Sequence, residues 1–136
     1  MGIEVKAVTS ARREDVIVLY KEAGWWEQSD EEGTDWVDGI VSDSALFVGA
    51  FDGEKLIGMG RALSDSISDA YIQDIVVLKA YRGQGMGRKI IQTLIAGLKE
   101  RGVEWIGLVA VPGSRSFYED LGFRELKGHI PFKLED

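Results

Sequence analysis

Apolar and polar positions along the chain alternate or recur in ways that predict most of its elements. Residues 3–8 alternate as a first strand, and Thr9-Ser10 offers a cap for a helix over about residues 12–23, which Gly24 ends. Residues 25–33 form a polar loop with two tryptophans at its start, after which Thr34 or Asp35 can cap a short helix reaching about residue 41. Residues 44–51 and 55–63 read as paired strands joined at Asp52-Gly53, a strong hairpin signal. Residues 70–78 are rich in β-branched and aromatic side chains, as a buried strand should be. Ile90, Ile91, Leu94, Ile95 and Leu98 then make one apolar helix face, stopped by Arg101-Gly102. A further strand covers residues 104–110.

Composition narrows the class. The 136 residues suit a single domain over 1–136, with hydrophobic content of 45% and charged content of 29% in the ordinary globular range. There is no cysteine and one histidine, which leaves no disulfide, no thiolate nucleophile and no expected metal site. Nothing reads as a signal peptide and no apolar run is long enough to span a bilayer, so no membrane partner is expected and the cytoplasm is the default location. A net charge of −7 argues against nucleic acid as the main partner.

One short basic cluster stands out on this acidic chain. Arg82-Gly83-Gln84-Gly85-Met86-Gly87-Arg88-Lys89 sits where a strand hands over to a helix. Glycines there let the backbone turn sharply and approach a ligand closely. The unpaired N–H groups at the helix start suit a phosphate or pyrophosphate. Two common nucleotide loops fail on spacing. Arg88 falls where a Walker A loop needs its second glycine, and also where a dinucleotide fingerprint needs its third.

What the residues fit is [RQ]-x-x-G-x-[GA], as Arg82-Gly83-Gln84-Gly85-Met86-Gly87. About 30 residues on, as an intervening helix and strand require, Phe117-Tyr118-Glu119-Asp120-Leu121-Gly122-Phe123 fits F-Y-x-x-x-G-F. With both motifs in order, the chain resembles the GCN5-related N-acetyltransferases, the GNAT superfamily. The resemblance implies an α/β fold with a mixed sheet in the order β-α-α-β-β-β-α-β-α-β, splayed open between the fourth and fifth strands. It implies acetyl-CoA as cofactor and transfer of an acetyl group to an amine by direct attack in a ternary complex. Homodimers are frequent in the family, although no segment here identifies an interface.

The resemblance also distributes roles. Amides of Gly83, Gln84, Gly85, Met86, Gly87 and Arg88, with the Arg82 that opens the motif, would hold the pyrophosphate. Ile75, Val76 and Val77, at a bulged strand end, would pair with the pantetheine arm and offer an N–H to the thioester carbonyl. Tyr118 would be the general acid, since a phenol with a pKa near 10 keeps its proton at neutral pH. One departure is Val111, where relatives often carry an asparagine that contacts the cofactor. Another is Gln73, where many relatives place the glutamate that takes the amine's proton through water. Glutamine can orient a water or hold the substrate but cannot accept the proton.

Period-two alternation puts Tyr71, Gln73, Ile75 and Val77 on one face and Ile72, Asp74 and Val76 on the other. Asp74 thus points away and takes a structural role, while His129 reads as an ordinary surface or core histidine. Six acids and no Lys or Arg lie between Glu27 and Asp38, beside Trp25, Trp26 and Trp36. Trp25, Trp26 and Glu27 are therefore candidate contacts for a cationic amine, a small molecule or a lysine side chain. A solvated loop with helix capping explains the same acids equally well. The alternative to an enzyme is a GNAT-fold protein that binds acyl-CoA as a sensor or interaction module, and Gln73 is the feature favouring it.

Overall fold

A computed structural model describes residues 2–136. Strand β1 (Glu4–Ala7) leads through helix α1 (Arg13–Glu22) and a 3₁₀ turn (Gln28–Glu32) into the short helix α2 (Trp36–Ser42). Strands β2 (Leu46–Asp52), β3 (Lys55–Ser64) and β4 (Asp69–Val77) follow, then helix α3 (Met86–Glu100), strand β5 (Trp105–Gly107) and helix α4 (Arg115–Asp120). The sheet runs β1-β2-β3-β4-β5, antiparallel except for the parallel pair β4–β5. The hairpin foreseen at Asp52-Gly53 joins β2 to β3, with Gly53 at a φ of 63°.

Helix α3 lies across β1 to β4, while α1 and α2 pack together with α1 on β3 and β4. They cover opposite faces. Gly60 on β3 faces Ile90 and Leu94 of α3, whereas its neighbour Arg61 faces α1 through Tyr20's partner Asp74. Val16 and Leu19 of α1 and Ile90, Ile91, Leu94 and Leu98 of α3 are wholly buried, which accounts for the helical spacing of their apolar residues.

The sheet opens where a site needs it to. β4 pairs with β5 only from Asp69 to Tyr71, opposite Trp105 to Gly107, yet continues to Val77. Beyond Tyr71 a notch separates the two strands.

Local expectations need four corrections. α1 begins at Arg13 with Arg12 as its flanking residue and no side-chain cap, so Thr9-Ser10 does not serve it; α2 likewise lacks a side-chain cap. β5 is shorter than residues 104–110, because pairing stops where the notch begins. The last strand of the expected order does not form: residues 121–136 are turns and irregular chain. Gly128 at a φ of 81° and Pro131, which has no N–H, interrupt that stretch. Finally, the alternation along β4 is broken. Met59 pairs with Val76 but Arg61 with Gln73, so β4 carries one extra residue, and Asp74 takes a φ of 60°.

Candidate active site

The glycine segment is a turn whose Gly83 and Gly85 have φ of 78° and 81°. Gly85 is the residue before α3, and its C=O accepts the first helical bond, from Lys89 N at 3.1 Å. The N–H groups of Met86, Gly87 and Arg88 therefore have no intrahelical acceptor. No side chain caps them. An added Cβ at Gly83 or Gly85 would meet nothing within 4 Å, so the turn is bare on its outer side. Three free amides, the positive end of a fifteen-residue helix and exposed Arg82, Arg88 and Lys89 fit a pyrophosphate. The Met86 side chain is buried in the core, so only its backbone faces this turn.

The turn is tied to β4. Arg82 Nε donates to the Val77 C=O at 2.9 Å. Leu78 N donates to Ile57 O at 2.8 Å, which fixes the phase of the ladder. Alternating back from Leu78, Val76 faces β3, while the backbone groups of Ile75 and Val77 face the notch. Ile75, Val76 and Val77 and the glycine turn thus share one end of the sheet.

Helix α4 closes on the same place. The Phe117 ring lies 3.5 Å from where a Cβ on Gly87 would be, placing α4 over the first turn of α3. Tyr118 is half-buried, edge-on to Phe117 and Phe123 at 5.0 and 5.8 Å. Among the described residues its hydroxyl has no hydrogen-bond partner. Burial raises its pKa above the ordinary phenol value.

The extra residue in β4 moves Gln73. Lying opposite Arg61, it shares that residue's face, the α1 face, and so does Asp74. Ile75 instead packs on the α3 side with Gly60 and Ile90. Gln73 and Ile75 are therefore not on one face, and Asp74 is not turned away from Gln73.

The acidic segment is partly neutralised from α1, whose two cations sequence proximity did not suggest. Arg13 holds Asp38 at 2.6 Å and Asp35 at 3.2 Å, and Lys21 holds Glu31 at 3.2 Å. Arg13 keeps the Asp38 carboxyl below its usual range; the Trp26 indole, then Lys21, do the same for Glu31. Glu27 and Asp30 cap the 3₁₀ turn reciprocally. Ion pairs hold three of the six acids and capping engages two more, while the two cations offset only part of the charge. The tryptophans form an aromatic group: Trp26 stacks on Trp36 at 5.7 Å, and Tyr20 meets Trp25 edge-on at 5.6 Å. Glu22 accepts from Lys79 N at 3.3 Å, so the end of α1 that carries these rings lies against the turn after β4.

Sequence reasoning missed one cluster. Oδ2 of Asp74 accepts from both Tyr20 OH and Arg61 Nε at 2.7 Å. The signal was available: an arginine inside the apolar strand β3 and a tyrosine on the buried stripe of α1 both require a polar partner.

A model of the acetyltransferase (GNAT) family matches residues 7–123. A GCN5-related N-acetyltransferase 2, chloroplastic, of Arabidopsis thaliana is 42% identical over 70 residues, 52% of this chain and 27% of that protein. A serotonin N-acetyltransferase 2, chloroplastic, of Oryza sativa is 33% identical over 88 residues, 65% of this chain and 40% of that protein. The chain therefore spans well under half the length of these curated relatives. A solved GNAT-family acetyltransferase of Streptococcus pneumoniae superposes with a TM-score of 0.74 at 25% identity, covering 98% of this chain and all of that one.

Proposed function

The chain belongs to the acetyltransferase (GNAT) family, and on that premise we propose that it moves an acetyl group from acetyl-CoA to a primary amine, with residues 1–136 forming one catalytic domain. The carrying observation is the pairing of the bare α3 N-terminus with the notch beside β4. Acetyl-CoA brings an acyl group already activated as a thioester; the chain has to bind, orient and protonate.

Amides of Met86, Gly87 and Arg88, flanked by Arg82 and Arg88 side chains, hold the pyrophosphate. The notch-facing backbone of Ile75 and Val77 lines the acyl arm, and an N–H there polarises the carbonyl, a contact worth roughly 3 kcal/mol when aligned. Tyr118 keeps its proton at Oη for the leaving sulfur, which its raised pKa favours. Gln73, on the α1 face, orients the incoming amine or a water. The ammonium gives one proton to solvent before attack. The N–H proton lost on attack passes through water, from which Tyr118 regains the proton it gave to sulfur. Attack is taken as direct, with no cysteine in the chain to carry the acyl group as a thioester.

The acceptor is a small cationic amine or a lysine side chain, received at Trp25, Trp26 and Glu27 through aromatic faces more than through charge. The rice relative's name supports an arylalkylamine within that class. Among the described residues no helix is long and apolar enough to cross a membrane. We keep the cytoplasm as the proposed compartment, although two relatives are named chloroplastic.

The test is release of CoA thiol from acetyl-CoA across polyamines, arylalkylamines, aminosugars and lysine peptides, which a cysteine-free protein leaves without background. Release with one amine class establishes the reaction. Gln73, having no ionisable group, favours the second reading of a non-catalytic acyl-CoA sensor; acetyl-CoA binding with silence across the panel supports it.

A further inference from the structure

Alternation back from Leu78 turns the Ile75 backbone into the notch, but that phase does not run on into the Arg61–Gln73 pair without an insertion. β4 uses four residues, Gln73 to Val76, where β3 uses three, Met59 to Arg61. Such an insertion bends the strand and leaves its extra residue out of the ladder. That residue is Asp74, held at a φ of 60° in the left-handed region, which among residues with side chains Asn and Asp tolerate best but none prefers. Something must hold it there.

Two donors do. Arg61 Nε and Tyr20 OH both reach Oδ2 of Asp74 at 2.7 Å, and Arg61 and Asp74 are only 14% and 18% exposed. Each donor is itself fixed. Arg61 Nη1 reaches Ser44 Oγ at 3.4 Å, and the Tyr20 ring packs on Trp25 and Trp36. On the other face, Ile75 Cδ1 lies 2.4 Å from where a Cβ on Gly60 would be, so the Ile75 side chain fills the space that this glycine leaves on β3. Ile75 is pinned through its own side chain on one face and through the preceding residue's carboxylate on the other.

We propose that Asp74 is a positioning residue, whose carboxylate, clamped by Arg61 and Tyr20, fixes the direction in which the Ile75 amide enters the notch between β4 and β5. This rests on the acetyl-transfer reading. Asp74 acts through geometry alone: it holds the bulge, and the bulge aims the backbone.

Three variants test it, with steady-state kinetics, calorimetry of acetyl-CoA binding, and the ¹⁵N–¹H shift of the Ile75 amide. Asp74→Gly tolerates the backbone angle but lacks the carboxylate. It should lower kcat about tenfold or more while changing the acetyl-CoA dissociation constant less than about threefold. Tyr20→Phe removes one oxygen and keeps the ring, and should lower kcat by a smaller factor. Asp74→Asn keeps an acceptor and should fall between the wild type and Asp74→Gly. The Ile75 amide shift should move in the same order. Wild-type kcat in both Asp74→Gly and Tyr20→Phe overturns the proposal, as does a parallel loss of kcat, acetyl-CoA affinity and melting temperature. A wild-type protein that acetylates no amine defeats the acetyl-transfer reading instead. The ligand-free Ile75 amide then decides the clamp: ordered movement supports it, and an unmoved resonance overturns it.

Discussion

The hydroxyl of Tyr20, on the first helix, donates to Oδ2 of Asp74, on the fourth strand, across 54 positions of sequence. Burial, and then this hydrogen bond, push the Tyr20 phenol far above its ordinary value near 10. In the unfolded chain the phenol titrates at that ordinary value. A folded pKa above the unfolded one means that its stabilisation is complete below pH 10 and is lost as pH climbs towards the folded value. Unfolding free energy should therefore fall above pH 10, by ~1.4 kcal/mol per pH unit for this one proton. Denaturant melts of the wild type and Tyr20→Phe, taken from pH 8 to about 11.5, should show a steeper decline in the wild type.

Among the described residues the Tyr118 hydroxyl has no hydrogen-bond partner, and burial raises its pKa. Tyr118→Phe should lower kcat by roughly a hundredfold, the scale of general acid catalysis, with acetyl-CoA affinity retained. The wild-type rate should also decline at alkaline pH, above pH 10, as the phenol loses its proton. The variant should show no such limb. An unchanged rate in Tyr118→Phe would remove this residue from the reaction.

Gly60 lies opposite the bulge, with Ile75, Ile90 and Leu94 occupying the space a Cβ would need. Gly60→Ala should cost about 1–3 kcal/mol of stability by overpacking. It should also lower kcat, because Ile75 is one of the two neighbours, with Ile90, that have to move. Chemical denaturation and turnover measured on the same sample check both effects.

Gly85→Ala separates conformation from contact. The new methyl group meets nothing within 4 Å, but the φ of 81° at the start of α3 strains any L side chain. Stability should drop by roughly 1–2 kcal/mol. Acetyl-CoA binding should weaken more than the melting temperature suggests, because the amides of Met86, Gly87 and Arg88 follow this residue. Calorimetry beside a thermal melt reads the two losses apart.

Much of this molecule is legible in its sequence because local patterns set local elements. The spacing of Ile90, Ile91, Leu94 and Leu98 marks α3, and all four are buried. Asp52-Gly53 marks the β2–β3 hairpin for an equally local reason. The glycine turn stands directly before α3 and the Phe117-Tyr118 segment lies on α4, both at one end of the sheet. What could not be read depends on partners far away in the chain. The alternation of β4 fails at Asp74 because an inserted residue is defined only by register against β3. The acids after Glu27 look unpaired along the sequence, yet Arg13 and Lys21 reach them from α1. Arg61 between apolar neighbours was the available sign that β3 faces a carboxylate.

β4 and β5 keep company for three residue pairs and then part, leaving one flank of β4 without a partner strand among the described residues, with the Arg82 side chain on the Val77 C=O at its far end. A sheet built this way leaves backbone groups open to pairing from outside. On the acetyl-transfer reading proposed above, the acyl arm would pair in that gap as an added strand, and its binding energy would add to that of folding. The melting temperature then becomes a gauge of occupancy: it should climb with the concentration of any compound that fits, before a single turnover has been counted.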